Sequence, residues 1–173
     1  MSAKSMLQAL LAHRRWAMAR IFEAAERLDD AHYRDDSGYG HGSLHTILFH
    51  VLRVDHMWRN VAAGPEQRFT PLEPEAYPDL ASLRAAWEQE DSALADFVDG
   101  LSEEQIGSPA HIRNLQGDLY SAALSTPLIQ LIMHGHQHRT EAAQILTAHG
   151  QTPDNLDFIF TPGLLQPITA VAL

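Results

Sequence analysis

The sequence predicts an all-α fold, a four-helix bundle with a long crossover between the second and third helices and a short hairpin before the fourth. Three observations carry this expectation. Four long segments repeat apolar residues at three- and four-residue steps, the pattern of a helix with one buried face. Glycine and proline fall mainly between these segments, where they end helices rather than interrupt them. With 173 residues, 45% of them hydrophobic, the chain can bury a core as one domain, 1–173, without disulfides.

The first helix is expected over Ser5 to Leu28, where Leu7, Leu10, Leu11, Met18, Ile21, Phe22, Ala25 and Leu28 share a face and no Gly or Pro intervenes. His32 to Gly42, rich in Asp, Ser and Gly, reads as a loop. Ser43 can cap a second helix through about Val61, which Gly64 and Pro65 stop. Three prolines between Phe69 and Pro78 make the next stretch an extended surface crossover. Asp79 caps the third helix, Leu80 to about Val98, with Leu83, Trp87, Leu94, Phe97 and Val98 inward and Glu88, Glu90 and Asp91 expected largely on the wet side; Gly100 ends it. LSEEQIGSP follows as a polar connection, and HIRNLQGDLYS as a short hairpin turning at Gln116, Gly117 and Asp118. Thr126 and Pro127 form a cap and first-turn pair for the fourth helix, which stops at Gly150. PDNLDFIFTPGLL predicts one more helical turn packed back on the body.

Charge and composition exclude several function classes. Twelve Lys and Arg against 22 Asp and Glu give a net charge of -10, a field that repels nucleic-acid phosphates and anionic membranes. The cysteine count of zero removes thiolate zinc sites and cysteine nucleophiles. His13, Arg14 and Arg15 interrupt the apolar stretch that a signal peptide would need, and no window is long enough to span a bilayer. The expected location is therefore the cytoplasm.

Histidine is the unusual residue, with eleven copies. His134 and His138 are four apart on the fourth helix, so their rings project from one face, one turn apart, as two ligands to one ion must. Leu131, Ala142 and Ile145 share that stripe, which turns the pair toward the bundle interior, while His136 points nearly the opposite way. On the second helix His50 lies within about 60° of Ile47, Val54 and Met57, whereas His45 and His56 lie more than about 100° away, at about 100° per residue. His50 is thus the inward candidate for a third ligand. Three imidazoles without a thiolate suit a divalent first-row metal, zinc or nickel. Motifs for zinc proteases, di-iron carboxylate bundles, nucleotide phosphates and serine hydrolases are all missing.

Glu141, three residues after His138, is the candidate catalytic residue; a general base, a fourth ligand and an orienting partner of a histidine are all open to it, and so is the plain role of a solvated helix acid. Arg139 turns about 100° from the ligand face and is expected to pair with an acid elsewhere in the bundle. Asp55, Trp58 and Trp16 read as a buried polar contact and core aromatics. His13, His45 and His56 are given no role.

The segments SLHTILFHVLRVDHMWRN and LIQLIMHGHQHRTEAAQILTAHGQTPDNLDF resemble the DinB/YfiT-like family of metal-binding four-helix proteins. In that family a second-helix histidine ahead of an aromatic joins two histidines spaced four apart on the last long helix, the second followed by arginine. Those positions fall on His50 ahead of Trp58, and on His134 and His138 with Arg139 next. The family often has Gly-Gln after the arginine, where this chain has Thr140 and Glu141. The resemblance implies a divalent metal, frequent homodimers, and a metal-dependent transferase acting on an electrophile with a low-molecular-weight thiol of the bacillithiol, mycothiol or glutathione type. A non-catalytic bundle that binds metal or a small ligand, and a hydrolase using metal-bound water, are the alternatives.

Overall fold

A computed structural model describes residues 1–38, 40–64, 70–113 and 117–165. Helix α1 spans Ala3–Ala25. It begins earlier than the apolar pattern does because the Ser2 hydroxyl accepts from the Ser5 N–H at 3.2 Å, and it ends before Leu28. The predicted loop opens with a short helix, α2, Asp30–Arg34, since the Asp29 carboxylate accepts from the His32 N–H at 2.9 Å and the buried Tyr33 ties the turn to the core. Helix α3, Leu44–Ala63, starts at the expected Ser43 cap. Gly64 closes it at φ 100°, a left-handed conformation that favours glycine.

After a single 3₁₀ turn at Pro74–Ala76, Asp79 and Ser82 cap each other's backbone at the start of α4, Leu80–Gly100. The segment read as a polar connection folds into α5, Glu103–Gly107, through the same device between Ser102 and Gln105. Strands β1, Pro109–Arg113, and β2, Leu119–Ala123, pair antiparallel from Pro109 opposite Ala123 to Arg113 opposite Leu119. Of the expected turn residues, Gln116 lies outside the described residues, and Gly117 has φ 92°. Helix α6, Ser125–Ala148, has no side-chain cap, so Thr126 lies inside it; the Leu124 N–H bonds instead to the Ser108 carbonyl at 2.9 Å, welding the helix start to the hairpin. Gly150, at φ 73°, lets the Gln151 N–H reach back to the Leu146 carbonyl at 2.8 Å. The predicted tail turn is a 3₁₀ turn at Phe158–Phe160, and it packs on His13 of α1.

Helix α1 packs on α4 and α6, and α3 packs on the same two, so the long helices close a ring in the order α1, α6, α3, α4. Their apolar interior falls into two blocks. One contains Met18, Ile21, Phe22, Leu44, Ile47, Leu48, Leu52, Leu83, Trp87, Ala142 and Ile145; the other contains Leu7, Leu11, Ala62, Leu94, Val98, Leu128 and Leu131. Between them on α1, α3, α4 and α6 stand Arg14, Asp55, Asp91 and Arg139, all buried.

This polar layer corrects two expectations. Asp91 and Glu90 are not on the wet side: Asp91 pairs with Arg14 and Arg15, and Glu90 takes Arg59 at 3.0 Å and the His56 Nδ1–H at 2.9 Å. The positive partners on α1 and α3 make burial of these acids affordable. Asp55 is the buried contact expected, its Oδ2 2.5 Å from Arg14 Nη2, and burial pushes its carboxyl up against the pull of Arg14. Arg14 also lies 4.6 Å above the Trp87 ring. Arg139 has no acid partner within ion-pair distance among the described residues, and its Nη2 makes no hydrogen bond. Burial, followed by the charge of Arg14, lowers its guanidinium to about 10, while Asp55 acts in the opposite sense. Room for it comes from Gly135, where a Cβ would sit 3.1 Å from Arg139 Nη1.

Candidate metal centre

The packing of α3 against α6 brings His50, His134 and His138 to one point. His134 Nε2 lies 3.0 Å from His50 Nε2 and 3.1 Å from His138 Nε2. Ring centroids are 4.9 Å apart for His50 and His134, 4.7 Å for His50 and His138, and 4.4 Å for His134 and His138. His138 is buried and the other two are half-buried. Ligands about 2.0–2.1 Å from a tetrahedral zinc would have nitrogens about 3.3–3.4 Å apart, so the spacing is close to that of a shared ion.

Proton placement sharpens the fit. His138 Nδ1 is 2.7 Å from Glu141 Oε2. A carboxylate oxygen accepts, so His138 Nδ1 donates to Glu141 and its Nε2 is turned toward His134. Extra protons are disfavoured: burial first, then His41, His134, His138 and Arg53, lower His50 to about 3, and burial, then His138 and His41, lower His134 to about 4 despite Glu141. The Nδ1 atoms of His50 and His134 are buried without hydrogen-bond partners among the described residues. A convergent set of neutral nitrogens, with no thiolate, matches a divalent first-row cation.

A fourth imidazole joins them. His41, in the loop before α3, stacks on His50 with centroids 4.0 Å apart and planes at 24°, and meets His138 edge-on at 4.9 Å. His41, His50 and His138 each offer a ring nitrogen within 4.8 Å of the others. Helical periodicity cannot identify His41, because it stands outside every helix; its position just before the Ser43 cap is the only sequence signal. The remaining expectations fall out locally. His136 is exposed. His13 contacts Thr161 Oγ1 at 2.9 Å, His45 the Tyr33 hydroxyl at 3.0 Å and His56 Glu90, so these three are engaged away from the cluster. Of the roles open to Glu141, its contact supports orientation of His138. Among the described residues no helix is long and apolar enough to cross a membrane.

The DinB family model matches residues 1–166. The crystal structure of a DinB-like protein, YjoA, from Bacillus subtilis superposes with a TM-score of 0.57 at 18% identity, covering 84% of this chain and 92% of that one. That similarity supports the helical fold. No match was found among curated proteins.

Proposed function

The chain belongs to the DinB family, and on that footing we propose that it binds a divalent metal, zinc or nickel, and uses it in a transferase reaction between a low-molecular-weight thiol and an electrophile. The observation that carries the reading is the meeting of three helix-borne Nε2 atoms at 3.0 and 3.1 Å. His50, His134 and His138 would hold the ion, and Glu141, through its contact with His138 Nδ1, would fix the tautomer that turns Nε2 inward. When bound, the ion would supply a positive centre at which a thiol, of ordinary pKa about 8.5, reacts as its thiolate near neutrality. The protein has no cysteine of its own, so the nucleophile comes from outside, as a bacillithiol, mycothiol or glutathione type of thiol. With the reading go a cytoplasmic location, where such thiols are reduced, and a homodimer, the assembly the resemblance implies.

Hydrolysis by metal-bound water is the alternative chemistry at the same ion. A second reading, a bundle that holds an ion or small ligand without chemistry, is favoured by His41, since a shell filled by protein donors is the mark of structural sites. Thiol consumption in the presence of an electrophile, measured with and without chelator, separates the two. Chelator-sensitive turnover supports transfer; a folded, metal-loaded protein that turns over no thiol supports the second reading. Elemental analysis of His50→Ala, His134→Ala and His138→Ala is expected to show lost metal, with His136→Ala unchanged. Equal metal in all four would overturn the site.

A further inference from the structure

Three imidazoles of the cluster are fixed by helical backbone, and the fourth is carried by a loop. We propose that His41 is an exchangeable fourth ligand that closes the site in the absence of substrate and gives up its place to an incoming thiol. The proposal rests on the metal reading above and adds to it the device that controls access.

Four observations place His41 in this role. Its ring nitrogen comes within 4.8 Å of donor nitrogens on both His50 and His138. Its ring lies flat on His50 and edge-on to His138, so it covers the cluster on the loop side. Unlike His13, His32, His45, His56 and His138, each of which has a polar side-chain partner, His41 makes no hydrogen bond among the described residues and is held by ring contacts alone. Glu141, the carboxylate on the ligand helix, is committed to His138 Nδ1 at 2.7 Å.

The backbone around it supplies the means of movement. Gly42, directly after His41, has φ 76°, a conformation that side-chain-bearing residues rarely adopt. The Gly42 carbonyl is anchored by the Ser37 N–H at 3.1 Å and by the Ser37 hydroxyl. His41 sits on a loop that turns at a glycine while its base stays tied, whereas His50, His134 and His138 stand on the packed helices α3 and α6. The exchange is a ligand substitution: one metal–nitrogen bond breaks, one metal–sulfur bond forms, and the thiol proton passes to solvent buffer. Water, a weaker donor than imidazole, is held off while a thiolate is admitted. This selects transfer over hydrolysis by ligand strength rather than by a separate base.

The test uses the full chain loaded with cobalt(II), with visible absorption, competition against a chromophoric chelator, and 2-mercaptoethanol as the thiol probe. His41→Ala and His41→Gln are expected to lower cobalt affinity by about tenfold or more, at least the effect of removing a partner that orients a ligand. Both should also change the ligand-field band of the wild type, with free imidazole restoring it in His41→Ala. The sulfur-to-cobalt charge-transfer band should grow in at lower mercaptoethanol in both variants than in the wild type. If both match the wild type in affinity, band and thiol midpoint while His134→Ala loses cobalt, the His41 proposal fails and the three-histidine reading stands. If His134→Ala also keeps cobalt like the wild type, both fail.

Discussion

Five residues apart on α3, His50 and Asp55 belong to polar clusters built on opposite terms. Around Asp55 the charges are of both signs: Arg14 meets Asp55 and Asp91, and Arg15 shares Asp91. Around His50 the groups are all of one kind, imidazoles whose Nε2 atoms converge. Opposite charges satisfy each other and contribute to architecture. Like donors that converge leave a valence that only something from outside the chain can fill. Burial alone does not distinguish the two, since Asp55 and His138 are both buried; the sign and direction of the neighbouring groups do.

The largest effect should come from unbalancing the first cluster. Arg14→Leu would leave Asp55 buried without its cation and is expected to cost about 3–5 kcal/mol in urea unfolding. The double variant Arg14→Leu/Asp55→Leu should recover most of that loss, and failure to recover it would show that the layer is more than a pair of compensating charges. The histidine cluster should respond in the reverse sense, gaining stability from a ligand. Zinc or nickel at one hundred times its dissociation constant is expected to add about 2.7 kcal/mol to unfolding free energy, and chelator should remove it. A thermal midpoint unmoved by metal would mean that the nitrogens do not bind it in the folded state.

What could be read in advance follows the same division. His50, His134 and His138 were accessible because each sits on a helix, where spacing fixes direction. His41 was not, because a loop has no period. Glu90 and Asp91 looked solvated when α4 was considered by itself; Arg14, which buries Asp91, is 77 positions away in the chain. In α5 the signal was present, as Ser102 followed three residues later by Gln105, but the helix is too short for an apolar stripe to announce it. The caps at Ser43 and Asp79 were legible because they precede long periodic runs.

Smaller changes probe the support around each cluster. Glu141→Gln should weaken metal binding by about ten- to hundredfold in chelator competition, since the amide can hold the His138 ring without the carboxylate's charge. A loss in turnover with unchanged affinity would instead make Glu141 a catalytic residue. Ser43→Ala removes the hydroxyl that accepts from the Thr46 N–H at 3.2 Å and should cost about 1 kcal/mol in unfolding. Metal content should stay as it was.

Apolar faces by themselves tolerate sliding: a helix displaced along its neighbour by one turn, about 5.4 Å, offers a fresh set of leucines of similar shape. Arg14 does not permit that freedom, because its two carboxylates sit on different helices and can be met together at one height only. The charged layer thus works as an axial stop for α1, α3 and α4. It fixes the level of α3, the helix that carries His50, against α1 and α4.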